Sequence, residues 1–301
     1  MNKSIYSIII FVTASTLFIS CEKTITITAP PYSGKVSIQS MLEPDSVPIV
    51  YFNRTVPYFD KKVSFADLVI RNASVIISNG TSIDVLLLDS VYDRIYCQYN
   101  YYYKGYAPVQ LNKTYTLTIT NGTDTYTATA STSNLSKARI DSTSFTPVFK
   151  DLYGEHEGVI IYFKDVLAQT DYYRYEMVRY VDTTTKRASE KIVSPCLGRD
   201  SVKVDEIGRS VYSDVGQNGL QLKIIIEPAY SHKPGTKGMV YIQTIDKNAF
   251  DFFDQLDKQK LAQFNPFVEP VFLRDGQFGS KAVGYFSAMV KSDPATYVYP
   301  E

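Results

Sequence analysis

Apolar and polar residues alternate over short stretches along most of this chain. Residues 114–120 place Tyr115, Leu117 and Ile119 on one side, and residues 125–130 return with Tyr126 and Ala128. Residues 35–41 set Val36 and Ile38 against Ser37 and Gln39. A period of two marks a half-buried strand, because successive side chains point to opposite faces. The same reading predicts strands at 49–54, 73–78 and 83–88. Asn79-Gly80 and Asn121-Gly122 follow apolar runs, and such a dipeptide suits a type I′ hairpin turn, whose two central residues both need positive φ. Residues 55–71, with Pro57 and several charges, read as a connecting loop or short crossover. Short strands and turns at this spacing predict an antiparallel sandwich over residues 35–134.

The polar stretch 131–139 reads as a joint. Beyond it the pattern predicts strands at 140–146, 159–163, 172–181, 222–226, 239–245 and 282–290. The pair at 159–163 and 172–181, linked by residues 165–171, resembles the early strands of a fibronectin-like sandwich. Residues 182–220 carry Pro195, Gly198, Gly208, Gly216 and Gly219 and read as a long irregular insertion with one short strand at most. Residues 248–264 break the period: Phe250, Phe253, Leu256, Lys260 and Phe264 fall at steps of three or four, which predicts an amphipathic helix. Asp246 or Asn248 can cap its start, and Asn265-Pro266 stops it. The expected fold is mainly β: two antiparallel β-sandwich domains of immunoglobulin or fibronectin type, at 35–134 and 135–301, with one helix near the C-terminus.

The first residues follow neither period. Lys3 precedes an uncharged apolar run over 5–19, then Ser20 and Cys21. The run is short for a bilayer span and reads as a cleaved export signal. A cysteine directly after a small residue at that junction is where bacteria attach lipid, although Phe18 stands where leucine is usual. Residues 1–20 are therefore expected to be a lipoprotein signal peptide, Cys21 the lipidation site, and 21–34 a polar tether to the fold. This expectation places the protein in the outer membrane, on its periplasmic side or at the cell surface.

Composition narrows the function. Of the 301 residues, 31 are basic and 31 acidic, so nothing favours nucleic acid as a partner. Cys97 and Cys196 remain after Cys21, and an oxidising compartment allows them to pair; the sequence leaves open whether they do. The two histidines, His156 and His232, offer no metal-ligand spacing, and Glu155-His156-Glu157 reads as a solvated loop. No nucleophile elbow, phosphate-binding loop or dinucleotide fingerprint is present. We expect no catalysis, no cofactor and no metal. Two alternatives stay open: an extracellular hydrolase or metal-dependent enzyme using His156 or His232, and a structural envelope protein. The one feature with functional weight is the run of tyrosines between 92 and 106. Tyr101, Tyr102 and Tyr103 are consecutive, so a strand cannot hide all three rings on one face. Tyr99, Tyr101, Tyr102, Tyr103 and Tyr106 form the expected binding surface.

Several motifs recur in order along the chain: Ser20-Cys21-Glu22-Lys23 at its start, Pro48 to Asn53, Ala73-Ser74-Val75, Asn112-Lys113-Thr114-Tyr115-Thr116-Leu117, Tyr126-Thr127-Ala128, Asn265-Pro266-Phe267-Val268-Glu269-Pro270 and Val283-Gly284-Tyr285-Phe286-Ser287-Ala288. In this it resembles a family of exported Bacteroidota lipoproteins described as domain of unknown function 4249. The glycine-rich run that usually precedes the last strand is reduced here to Gly276, Gly279 and Gly284. The resemblance implies a lipid-anchored outer-membrane protein, often encoded beside TonB-dependent receptors, and hence an accessory role in nutrient capture. It implies no catalytic residues.

Overall fold

The computed structural model of the chain describes residues 34–56, 64–151, 154–167, 169–182, 195–198, 200–208, 210–264 and 271–300. The expected signal peptide, Cys21, most of the tether and the Asn265 to Pro270 motif lie outside them. The chain runs through β1 (Val36–Leu42), β2 (Ile49–Arg54), a short helix α1 (Phe65–Leu68), β3 (Ser74–Ser78), β4 (Ile83–Asp93), β5 (Gln98–Lys104), β6 (Thr114–Asn121) and β7 (Asp124–Ser131). There follow β8 (Arg139–Asp151), β9 (Gly154–Lys164), β10 (Tyr172–Val181), β11 (Val202–Ile207), β12 (Tyr212–Ser213), β13 (Gln221–Ile226) and β14 (Lys237–Ile245). Helix α2 (Lys247–Phe264), β15 (Ala282–Lys291) and β16 (Ala295–Val298) complete it. The protein is mainly β, and among the described residues no helix is long and apolar enough to cross a membrane.

One long sheet has the order β11–β10–β14–β15–β1–β2–β5–β4–β3–β6–β7, with β12 on β10 and β16 on β14; β13–β9–β8 form a second sheet. Alternation explains the strands well. Tyr115, Leu117 and Ile119 on β6 and Tyr126, Ala128 and Ala130 on β7 are buried in one core with Val36, Ile38 and Leu42 of β1. A second core packs Val159, Ile161 and Phe163 of β9 and Leu222, Ile224 and Ile226 of β13 against Tyr173 and Met177 of β10 and Val240 and Ile242 of β14.

Four local expectations need correction. Pairing is not wholly antiparallel: β1 runs parallel to β15, from Val36 opposite Ala282 to Leu42 opposite Ala288. This contact continues the sheet across the joint, and Ala282, Phe286 and Ala288 join the first core. Gly284 makes it possible, since a Cβ there would lie 1.8 Å from the Ile38 carbonyl oxygen and its φ is +128°. Residues 182–220 hold more than one short strand: β11 pairs along β10 from Val181 opposite Val202 to Glu176 opposite Ile207, and β12 pairs with Tyr172 and Tyr173 at its start. Asn79-Gly80 lies in a four-residue loop between the paired Ser78 and Ile83. There the Asn79 Oδ1 accepts the N–H groups of Thr81 (3.0 Å) and Ser82 (2.8 Å), so the side chain shapes the turn. At the other hairpin Gly122 and Thr123 connect the paired Asn121 and Asp124, and positive φ falls on Gly122 alone (60°). That is the pattern of a type II′ turn.

Helix α2 keeps its expected place. Asp246 caps it, its Oδ1 accepting Ala249 N–H (3.0 Å) while its Oδ2 accepts Ala288 N–H (2.9 Å). Phe250 packs on Tyr172 (4.5 Å between rings), Phe253 on Tyr285 (5.0 Å), and the Arg174 guanidinium lies 3.8 Å from the Phe253 ring centre. The helix thus covers the face of the long sheet opposite the first core; the side chain of Phe264 is outside the described residues.

Candidate functional site

The tyrosine-rich segment forms β5 and the end of the β4–β5 hairpin. Register fixes which rings share a face: Tyr92 pairs with Tyr99, Ser90 with Tyr101, Asp89 with Tyr102 and Leu88 with Tyr103. Tyr103 points into the first core, 2% exposed. Its hydroxyl donates to the Ile70 carbonyl (2.8 Å) and accepts Ala73 N–H (3.1 Å). It therefore leaves the expected binding surface, because a strand facing the core buries every second residue. Tyr101 shares that face but lies beyond the core, under the Arg71 guanidinium at 4.3 Å. Tyr99 and Tyr92 pack beside it with their rings tilted by 60° (5.1 Å between rings) and are exposed, as is Tyr106. Tyr102 faces the other way and meets Tyr51 edge-on at 6.0 Å. Burial raises both hydroxyl pKa values, with Asp89 adding to the rise at Tyr102.

The face that carries Tyr102 also carries residues the sequence reading missed. Ile83, Val85, Leu87 and Val91 of β4 are exposed at 71, 52, 54 and 52%. They were legible only as strand formers, because Val85-Leu86-Leu87-Leu88 is apolar on both faces and does not say which face meets solvent. The result is a largely apolar strip over β2, β5 and β4, interrupted by Lys104 opposite Leu87 and by Asp89 between Leu87 and Val91.

The hairpin tip is held at its far end. Cys97 and Cys196 form a disulfide with a Cα separation of 5.6 Å, well inside the span such a bridge needs. Arg94 donates to the Leu197 carbonyl (2.8 Å) and to Asp200 Oδ2 (2.9 Å). Ile95 packs on the small core of Val181, Leu197, Val204 and Tyr230.

The two histidines do not converge. Glu157 Oε1 lies 2.5 Å from His232 Nε2 and accepts its N–H, and the His232 ring stacks on Tyr299 at 3.7 Å. His156 Nδ1 lies 3.2 Å from Glu227. His156 and Glu157 are successive residues of β9 and so occupy opposite faces of its sheet.

A different group does converge. One oxygen each from Asp165, Asp171 and Asp214 lies within 4.8 Å of the other two, and all three residues are buried. Asp165 receives the Tyr173 hydroxyl and Gly219 N–H (2.6 Å). Asp171 receives Gln169 Nε2 (2.8 Å) and Ser136 Oγ (2.9 Å). Both oxygens of Asp214 are sealed from solvent without a hydrogen-bond partner. Burial raises the carboxyls of Asp171 and Asp214, helped by their like-charged neighbours. Sequence offered little signal: Asp165 and Asp171 bound a predicted loop, and Asp214 belongs to the stretch read as irregular.

No curated protein compared with the chain matches it. The model of the family described as domain of unknown function 4249 matches residues 22–293, and the chain belongs to that family.

Proposed function

We propose that this chain is a lipid-anchored protein of the outer membrane that acts by binding rather than by catalysis, as an accessory component of a TonB-dependent uptake system. Anchoring rests on Lys3, the apolar run and Cys21. On the same reading, residues 35–134 and 135–301 are two sandwich domains of immunoglobulin type, which the two separate cores support. The observation that carries the binding role is the β4–β5 hairpin. It exposes Val85, Leu87 and Val91 on one face and Tyr92 and Tyr99 on the other, while its tip is fixed by Cys97–Cys196 and Arg94. A rigid apolar surface loses little conformational freedom on binding, which favours affinity. Exposed apolar strips of this kind mark contact sites on soluble domains.

The test is co-purification from outer membranes in mild detergent with a TonB-dependent receptor. The double variant Leu87→Ser with Tyr99→Ser is expected to melt within about 2 °C of wild type, as surface substitutions cost little, and to lose the receptor. A wild-type protein recovered only as a free monomer, or a double variant that captures the receptor equally, overturns the proposal.

A further inference from the structure

The loop between β9 and β10 and the turn that follows β12 bring three carboxylates together. Asp165 and Asp171 bound the first, and Asp214 opens the second. Their exposures are 3, 3 and 0%. An acidic cluster alone says little, but Asp214 adds a separate observation. It is completely buried, it is aimed at the other two carboxylates, and neither of its oxygens meets a donor in full hydrogen-bond geometry, although the Asp171 backbone and the Asp165 carboxyl stand close by. A bare carboxylate beside two others is among the least favourable arrangements a protein interior can hold. Something positive must balance it.

We infer that Asp165, Asp171 and Asp214 bind a calcium ion. Every donor in the cluster is oxygen, which selects a hard cation and argues against zinc, whose sites draw on nitrogen and sulfur. Calcium takes oxygens at about 2.3–2.6 Å, so two ligand atoms on one ion stand at most about 5 Å apart. The separations here, all within 4.8 Å, meet that limit without rearrangement. Magnesium keeps several waters and takes one or two carboxylates, which fits poorly with three buried ones.

The surroundings orient the ligands. The Tyr173 hydroxyl and Gly219 N–H hold Asp165, and Ser136 and Gln169 hold Asp171. Outer partners of this kind fix first-shell carboxylates. Asp214 N–H also donates to the Asp171 carbonyl (3.3 Å), and Gln169 Nε2 to the Asn134 carbonyl (3.2 Å). Ser136 and Asn134 belong to the connection between β7 and β8. The ion therefore fastens two loops of the second half and the joint that leads into it. The cover is thin, since Leu167 and Val215 beside the cluster are 73 and 74% exposed, and this leaves a route for exchange.

The experiment uses the full chain freed of divalent cations with EDTA. Terbium is the first probe: the chain has 25 tyrosines and no tryptophan, and Tyr173 contacts a ligand, so tyrosine excitation should give terbium emission that calcium displaces. Calcium at about a hundredfold its Kd should raise the melting temperature by roughly 5 °C or more, by mass action on the folded state. Asp214→Asn should abolish both effects and, without calcium, melt above the calcium-free wild type because one buried charge is gone. Asp171→Asn is the second variant should the first not fold. The inference is overturned if wild type shows neither terbium emission nor a calcium-dependent shift up to about 10 mM, beyond the weak range of extracellular sites. An equal shift with magnesium, or a calcium shift retained in a folded Asp214→Asn or Asp171→Asn protein, also overturns it. A wild type that gains stability only from acid, and not from calcium, shows that protons balance the cluster instead.

Discussion

The core built by β1–β7 with one face of β15 and the core of the remaining strands differ in what they hide. In the first, the buried polar side chains among the described residues are Ser40 and Thr132. The rest is largely branched or aromatic carbon, and the hydroxyl of Tyr103 within it is satisfied by backbone. The second buries Asp165, Asp171, Arg174, Glu176, Arg179, Glu206 and Asp214. Arg179 is the clearest case. Its guanidinium donates to Glu206 (2.5 and 2.9 Å), to the Ser231 carbonyl (3.0 Å) and to the Tyr230 carbonyl. Glu206 in turn accepts Ala229 N–H (2.9 Å) and Tyr230 N–H (3.2 Å). One ion pair thereby fastens β10, β11 and the 229–231 segment. An apolar core is non-directional and tolerates repacking, whereas a buried ion holds only while each partner is in place. The comparison separates a half that specifies shape by packing from one that specifies it by charge.

The largest predicted effect attacks that distinction. Glu206→Ala should cost about 3–5 kcal/mol, because it strands the Arg179 charge and two backbone donors in the interior. Replacing both members, Arg179→Met with Glu206→Leu, should recover most of the loss, since apolar pairs of similar volume replace buried ions at little cost. Urea unfolding of the single and double variants measures both. A double variant no more stable than Glu206→Ala would mean that the pair also does work that packing cannot replace, and the contrast between the halves would sharpen.

The same contrast explains what could be read from the chain. Strands β6 and β7 were legible because Tyr115, Leu117, Ile119, Tyr126 and Ala128 repeat with period two, and one buried apolar face is all that period reports. Strand β11 was not. Its sequence Val-Lys-Val-Asp-Glu-Ile holds Glu206 at a core position, so the pattern reads as polar although Val204 and Glu206 are both buried. The Asp165, Asp171 and Asp214 cluster was invisible for a related reason: acidic residues in loops are usually solvated, and only the fold shows that these three meet. The parallel β1–β15 pair was equally hidden, because register between strands far apart in sequence depends on where the chain returns. Gly284 hinted at close approach but not at its partner Ile38.

Asp246 tests whether helix α2, packed on β10 and β15, depends on charge or on packing. Asp246→Ala removes the α2 cap and leaves Ala249 and Ala288 N–H groups without their acceptor, at a cost of about 2 kcal/mol. Burial raises the Asp246 carboxyl, an effect its hydrogen bonds only partly offset. A raised carboxyl pKa means that the folded state takes up a proton more readily than the unfolded one, so stability grows as pH falls from the folded pKa towards the ordinary carboxylate range near about 4. The wild type should therefore gain on Asp246→Ala as pH falls from 7 towards about 4. Thermal melting of both proteins across that window reads the difference, and a gap that narrows on acidification would show that the ionised cap is the favoured form.

The smallest effects separate the two ends of β5. Tyr103→Phe deletes a hydroxyl that bridges the Ile70 carbonyl and Ala73 N–H inside the first core. Both backbone groups are then left without that partner, at a cost of about 1 kcal/mol. Tyr99→Phe deletes a hydroxyl from a ring that is 52% exposed. Water replaces whatever that group meets, and the change should fall within about 0.5 kcal/mol. The two residues share a face and are four apart on one strand, so propensity and register are the same and burial alone distinguishes them. Equal losses in chemical unfolding would place Tyr99 under cover as well, and the hairpin would then be part of the core and not a surface offered to a partner. A loss confined to Tyr103 leaves the end of the hairpin as a stretch of β5 that folding does not need, which is what a contact surface requires.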